Sequence, residues 1–157
     1  MEDRTFRNAM GRFATGVTVV TIREGEETHG MTANAFMSVS LDPKLVLVSI
    51  DNRASMLERM NHTESFGISF LSEEQKHLSM HFAKQKIHEG EIAFDVIDDV
   101  PVLSNSLAAL ICRVYQKIPA GDHTLILGEV DEILFSDGKP LTFFEGRYGA
   151  LKDDGAQ

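Results

Sequence analysis

The chain has 157 residues, the size of one ordinary domain, and 43% of them are hydrophobic, which suffices for a folded core without disulfides or metals. Its 15 basic and 24 acidic residues give a net charge of −9, which disfavours nucleic acid or an anionic membrane surface as a partner. The longest apolar run, residues 107–112, is far shorter than the roughly 20 residues of a membrane-spanning helix. We therefore expect a single soluble, cytoplasmic domain over residues 1–157, with residues 152–157 as a loose tail.

The first predicted element is an amphipathic helix over residues 3–14. Phe6, Ala9, Met10 and Phe13 recur at the spacing of one helical face. This helix is predicted to end before Gly16.

A β-hairpin is predicted next. Residues 17–22 are β-branched throughout, residues 24–27 form a polar turn, and the returning strand begins near Thr28. Further along, Asp42-Pro43 divides two strands, because proline fixes its own φ and disfavours helix at the preceding residue.

The later elements are a short helix, a strand, a second helix, a long hairpin and a last strand. They are predicted at residues 54–60, 66–71, 73–85, 107–118 with 124–135, and 140–144. Residues 87–100 are charged and irregular and precede Pro101, so we expect a long exposed loop with at most one short strand, of the kind that often serves as a lid. About seven strands, mostly joined as hairpins, favour an antiparallel barrel with flanking helices.

Several familiar kinds of site are not supported by the sequence. No G-x-G-x-x-G motif follows a strand, so a Rossmann dinucleotide site is not expected. His77 and His81 are spaced i, i+4, but no third metal ligand is evident. Cys112 lies in an apolar stretch and is expected to be buried and inert. Five methionines are interpreted as core residues: Met31, Met37, Met56, Met60 and Met80.

Residues 30–40 form the first candidate binding segment, which we call the ribbon. Thr32, Asn34, Ser38 and Ser40 alternate there with small or apolar residues. Such a run fills a core poorly, yet it lets a flat ligand lie close to backbone N–H and C=O groups. A solvated edge strand explains the same spacing equally well.

Residues 49–55 form the second candidate segment, where a strand leads into a helix. The free amides at the helix start, the Arg53 guanidinium and the Ser55 hydroxyl are groups that hold phosphates in proteins. An ordinary helix cap is the commoner meaning of this pattern.

A family resemblance covers about residues 4–151 and rests on seven short segments. They are FATGVTVVT at 13–21, GMTANAF at 30–36, SVS at 38–40, DP at 42–43, GDHT at 121–124, GEV at 128–130 and GRY at 146–148. On these segments the chain resembles the short flavin reductases, the reductase components of two-component flavin-dependent monooxygenases. It looks most similar to the phenol hydroxylase reductase components.

The resemblance implies a fold and an activity. The fold would be mainly β, an antiparallel split β-barrel with short flanking helices. The activity would be transfer of hydride from NADH to FAD, or to FMN, with the reduced flavin passed to a separate oxygenase in aromatic catabolism. It also implies a homodimer.

The resemblance further implies a set of site residues. The flavin-binding residues would be Thr32, Ala33, Asn34, Ala35 and Phe36 at the isoalloxazine edge, Ser38 and Ser40 near the ribityl chain or phosphate, Ser49, Arg53 and Ser55 at the phosphate, and Phe82 and Ala83 close to the flavin. His123 would lie beside the nicotinamide as the catalytic position, with Tyr148 also at the NADH site. From the sequence alone, a purely structural turn histidine is an equal alternative for His123.

Two other functions stay open at this stage. A pyridoxamine-phosphate-type oxidase has a related barrel, but it would need more basic residues for its phosphorylated substrate. A non-catalytic flavin-binding or tetrapyrrole-binding module needs no hydride donor at all. The sequence also leaves open FAD against FMN and NADH against NADPH.

Overall fold

The computed structural model describes residues 1–153, so residues 154–157 of the expected tail lie outside the described part of the chain. Three helices and twelve strands follow one another within it. They are α1 (Asp3–Gly11), β1 (Thr15–Gly16), β2 (Thr18–Glu24), β3 (Glu27–Ala33), β4 (Phe36–Leu41), β5 (Lys44–Asp51), α2 (Ser55–Met60), β6 (Ser65–Phe70), α3 (Lys76–Phe82), β7 (Phe94–Ile97), β8 (Val100–Leu103), β9 (Ala108–Ala120), β10 (His123–Phe135), β11 (Leu141–Phe144) and β12 (Arg147–Ala150).

A seven-stranded sheet forms the body of the molecule. Its order is β3-β2-β6-β9-β10-β5-β4, and every neighbouring pair is antiparallel. The strands β3 and β4 lie at opposite edges of this order although they are consecutive in the chain. The predicted antiparallel split barrel is therefore confirmed.

The core of the barrel is built from β-branched and aromatic side chains on alternate strand positions. Val20, Ile22, Phe66, Ile68 and Ile126 are all at most 1% exposed and belong to one cluster. Burial of this apolar surface is the main stabilising contribution to the fold.

The segment over residues 87–100 is more regular than expected. It contains β7 and the start of β8, which pair as a small separate sheet. The predicted loop with one short strand is present as residues 87–93 and β7, but β8 was missed, and the total of about seven strands is wrong. The turn between β7 and β8 was not recognisable in the sequence, because Asp98 and Asp99 make it at φ values of 50° and 67° where a glycine would be the usual marker.

Both predicted long helices are shorter in the structure. The first ends at Gly11, not near residue 14, and the chain then extends into β1. The second, predicted over residues 73–85, divides into a 3-10 turn at Glu73–Gln75 and α3. Lys84 follows α3 with a φ of 59°, a left-handed conformation that stops helical continuation.

The predicted core methionines and the cysteine largely lie as expected. Met56 and Met60 are buried in the barrel core, and Met31 packs against it. Met37 is 55% exposed on β4, so its assignment to the core is wrong. Cys112 is buried, and this burial raises the pKa of its thiol to about 12. Over residues 1–153, none of the helices is both long and apolar enough to cross a membrane.

Candidate functional site

The ribbon runs from one edge of the sheet to the other. Its first part is the edge strand β3, which bonds only to β2 within the seven-stranded sheet. A tight turn follows, in which the Phe36 N–H donates to the carbonyl of Asn34 at 3.0 Å. The Ser49 N–H donates to the carbonyl of Ala35 at 3.1 Å, which ties this turn to β5. An edge strand leaves alternate backbone donors and acceptors free for a ligand.

Phe82 lies directly on the bare backbone of the ribbon. A Cβ added at Gly30 would lie 2.5 Å from Cδ1 of Phe82, so only glycine permits this approach. The C-terminal end of α3 therefore covers the ribbon at this point, and Thr32 Oγ1 donates to the carbonyl of Ser79 at 2.7 Å one turn earlier.

A cleft of about 430 Å³ opens beside this contact, and we call it the arginine cleft. The ribbon from Gly30 to Thr32 forms one side, and the start of α2 and the residues after α3 form the others. Its lining includes Ser55, Phe82 and Ala83, together with two cations, Arg59 and Lys84.

Arg59 is held in place from two sides. Its Nη1 donates to Glu24 Oε1 at 2.9 Å and lies 3.0 Å from His29 Nε2. Lys84 is exposed. Because Glu24 already pairs with Arg59, Lys84 is the cation of this cleft that attracts an anion in spite of the net charge of −9, since the field inside a cleft is dominated by its nearest groups.

A second cleft, of about 140 Å³, opens on the far side of Thr32, and we call it the tyrosine cleft. Thr32, Ala33 and Asn34 form its ribbon side, and Tyr148 and Ser79 face them. Since Thr32 lines both clefts, the ribbon passes from one directly into the other.

A larger cleft of about 770 Å³ lies elsewhere, beside the 3-10 turn. Its charged lining is mostly acidic, with Glu73, Glu74, Glu91 and Asp137 against Lys139. Size alone would favour it, but carboxylates repel a phosphorylated cofactor. The two ribbon clefts suit an anionic ligand better than this acidic cleft does.

His123 lies at the start of β10, opposite Asp51 of β5 and Ala120 of β9. Its Nδ1 is 2.7 Å from Asp122 Oδ1. It lies neither in the arginine cleft nor in the tyrosine cleft, so this chain does not bring His123 and Tyr148 together within one of them.

Arg53 is paired to a neighbouring carboxylate. Its Nη2 and Nε donate to the Asp51 carboxylate at 2.9 and 3.2 Å, and its backbone N–H donates to the same group at 2.8 Å. These bonds hold the pKa of Asp51 far below its usual range and raise that of Arg53. Asp51 therefore already neutralises the guanidinium that the sequence suggested for a phosphate.

The remaining predicted flavin residues lie along the ribbon and its neighbour strand. Ser38 is exposed and Ser40 half-buried on β4, where a bulge lies between their pairings with β5. Ser49 is half-buried on β5, behind the Asn34–Ala35 turn. Phe36 packs its ring edge-on to Phe70, with centroids 5.0 Å apart.

Three residues of the site were missed in the sequence. Arg59 and Lys84 reach the ribbon only through the fold, and Ser79 contacts it from the buried face of α3. The i, i+4 spacing of Ser55 and Arg59 on a predicted helix was the one available signal.

These groups suit a flavin on three counts. The edge strand supplies backbone donors and acceptors for the ring, the Gly30 position accepts no side chain beneath Phe82, and the two cations suit a phosphate. A flat, anionic cofactor fits this combination better than a purely apolar ligand does.

Comparisons with known proteins agree with this interpretation. Residues 10–152 match the family described as flavin reductase like domain. An NADH-dependent flavin reductase from Rhodococcus sp is 47% identical over 149 residues, covering 93% of this chain and 85% of that protein. The reductase component of 4-hydroxyphenylacetate 3-monooxygenase from Thermus thermophilus is 40% identical over 152 residues, covering 93% of this chain and 95% of that protein.

A solved structure is similar over almost the full length. The flavin reductase PheA2 in its native state superposes with a TM-score of 0.94 at 50% identity, covering 98% of this chain and 100% of that one.

Proposed function

The chain belongs to the flavin reductase like domain family, and on that premise we propose how its ribbon and clefts perform flavin reduction. The protein is an NADH-dependent flavin reductase that uses FAD or FMN and supplies reduced flavin to a separate monooxygenase. The observation that carries the site assignment is the bare ribbon between a cationic cleft and a tyrosine-lined cleft.

The chemistry belongs to the two cofactors. A bound flavin would supply the acceptor for the hydride of NADH, which would be oxidised to NAD⁺ while the flavin is reduced by two electrons. The chain needs no nucleophile for this step, because alignment of the two rings can itself contribute roughly 7–11 kcal/mol to lowering the barrier.

Each end of the ribbon has its own task in the proposal. Residues 32–36 offer backbone N–H groups and small side chains to the isoalloxazine edge, which stabilises negative charge that develops there. Arg59 and Lys84, with Ser55, hold the flavin phosphate, since they are the cations of the arginine cleft.

The sequence-derived phosphate ligands Ser49 and Arg53 and the ribbon serines Ser38 and Ser40 stay part of the proposal. They lie on the edge strand β4, on its neighbour β5 and just after β5. Arg53 would exchange its Asp51 partner for a phosphate only at the expense of two charge-assisted bonds.

We propose that the functional unit is a homodimer. Phe6, Met10 and Phe13 are 55%, 54% and 78% exposed along one side of α1 and its end. Phe13 also lines an apolar cleft of about 340 Å³ that reaches Asn34 and Phe36 of the ribbon. A second copy seated there would remove this apolar surface from water and close the open side of the flavin site.

We further propose that residues 1–157 act as one domain and that the protein works in the cytoplasm. The family match over residues 10–152 and the single, buried cysteine support these two points. The receiving oxygenase would then be a cytoplasmic protein, and one that acts on an aromatic substrate fits the sequence resemblance.

The deciding experiment mixes the purified protein with NADH and free FAD or FMN and follows the nicotinamide absorption band. Rapid loss of that band, dependent on both protein and flavin, is the expected result. Yellow colour bound to the protein without NADH consumption would instead identify a binding module. Light scattering on protein eluted from a gel-filtration column measures its molar mass and so tests the homodimer. An active monomer would exclude the homodimer as the functional unit.

A further inference from the structure

Ser79 has a fully buried hydroxyl that bonds across the fold. It lies in α3 at 0% exposure, and its Oγ is 2.8 Å from the hydroxyl of Tyr148 on β12. Serines inside helices commonly bond to their own helix backbone, so a bond to a side chain 69 residues away is a specific tertiary contact.

The backbone of the same residue bonds to the ribbon. The carbonyl of Ser79 accepts from Thr32 Oγ1 at 2.7 Å. One residue therefore joins the ribbon to Tyr148 through two different atoms, and all three residues line the tyrosine cleft.

Tyr148 depends on this bond for its hydroxyl position. Its ring packs edge-on to Phe143, with centroids 5.3 Å apart, and Lys76 Nζ lies 5.6 Å from its centroid. Both contacts act on the ring and not on the hydroxyl. Moreover, β12 is an edge strand of its three-stranded sheet, where a side chain has fewer neighbours to fix it.

From these contacts we infer that Ser79 is a positioning residue for the nicotinamide dinucleotide. Its hydroxyl sets the Tyr148 hydroxyl at a fixed place across from Thr32, so that the width of the tyrosine cleft is set before NADH enters. This inference rests on the proposed function, because it takes Tyr148 as the NADH-site residue that the family resemblance implies and so treats its cleft as the NADH side of the ribbon. Ser79 acts through Tyr148, because its own side chain is fully buried.

The test is a double-mutant cycle with Ser79→Ala and Tyr148→Phe. Each variant removes one partner of the same neutral hydrogen bond, so we expect each to raise the KM for NADH by roughly 2- to 13-fold. The value of kcat stays near that of the unaltered protein, since a lost contact that serves bound substrate and transition state equally raises KM alone. Flavin affinity is also retained, because the Thr32 bond uses the Ser79 carbonyl, which alanine keeps.

The double variant distinguishes positioning from general damage. If the two hydroxyls act only through each other, its KM for NADH is no higher than that of the single variants. Ser69→Ala is the matched control, because Ser69 is also 0% exposed and its hydroxyl also holds one bond, from the Leu103 N–H at 2.9 Å. It is expected to lower the free energy of unfolding and leave the KM for NADH unchanged.

Three outcomes overturn the inference. They are an unchanged KM for NADH in Ser79→Ala, effects that multiply in the double variant, or an equal rise in KM in Ser69→Ala. Should Ser79→Ala fail to fold, Tyr148→Phe alone decides, because it breaks the same bond from the cleft side. If the proposed function itself were wrong, the unaltered protein would not oxidise NADH in the presence of flavin, and this result is distinguishable from the three outcomes above.

Discussion

Gly30→Ala tests whether the close packing of Phe82 on the ribbon keeps the arginine cleft open for the flavin. The added Cβ would lie 2.5 Å from Cδ1 and 2.6 Å from Cε1 of Phe82, where an ordinary contact is 3.4–4 Å. Overpacking of this kind costs about 1–3 kcal/mol. Because Phe82 is half-buried at the cleft mouth, its ring yields by swinging into the arginine cleft. The cost therefore falls on flavin binding, and the Kd is expected to rise by roughly 5- to 150-fold.

Titration of flavin fluorescence measures this Kd directly. Gly128→Ala is the control, because its Cβ would lie 2.7 Å from Cζ of Phe66 inside the barrel core. It is expected to lower the free energy of unfolding without a comparable change in Kd. Adding Phe82→Leu to Gly30→Ala makes room again and is expected to restore part of the affinity. Unchanged flavin affinity in Gly30→Ala would refute the reasoning.

Three further predictions concern single side chains. In steady-state kinetics, His123→Ala is expected to raise the KM for NADH roughly three- to tenfold and to lower kcat, with flavin affinity nearly unchanged. If the variant instead lost flavin while the flavin-bound fraction turned over normally, the role of His123 beside the nicotinamide would be contradicted. Lys84→Gln removes a cation from the arginine cleft and is expected to weaken flavin binding severalfold, with a larger effect at low salt. Lys86 does not line that cleft, so Lys86→Gln is the control and is expected to leave flavin affinity unchanged. Burial raises the pKa of the Cys112 thiol from 9.0 to about 12, so the thiol stays protonated in the folded protein. The contribution of this shift to the free energy of unfolding is fully present below pH 9.0 and is lost as the pH rises towards 12. Alkylation at pH 8 to 9 should then need unfolding, and labelling of the native protein at the rate of a free thiol would exclude that burial.

The ribbon and the hairpins were predictable because their signals are local. Asp42-Pro43 divides β4 from β5 as expected, and Gly121-Asp122 connects β9 to β10. Small residues at alternate positions mark the ribbon in the sequence itself. Local turn chemistry and period-2 patterns need no knowledge of the fold.

The rest of the site depends on contacts between distant parts of the chain. Ser79 and Tyr148 are 69 positions apart, and Arg59 is oriented by Glu24, 35 positions away. Lys84 reaches the arginine cleft because α3 stops there in a left-handed turn. No periodicity encodes such pairings, since they arise only when the sheet order places their elements side by side.

In the segment over residues 87–100, the local sequence pattern itself led to an incomplete prediction. Its charges predicted exposure correctly at many positions, but β7 and β8 pair through a turn of two aspartates. Pro101 then lies inside β8, where its carbonyl accepts a bond from the Thr21 hydroxyl. A proline in a two-stranded sheet costs little, because only one side of the strand is paired there.

A structure of the protein with bound FAD would show where the flavin lies. We expect the isoalloxazine ring to lie within van der Waals contact of the backbone at Ala33 and Asn34, with the phosphate directed towards Arg59 and Lys84. A flavin bound in the acidic cleft beside the 3-10 turn, with the ribbon uncovered, would contradict it.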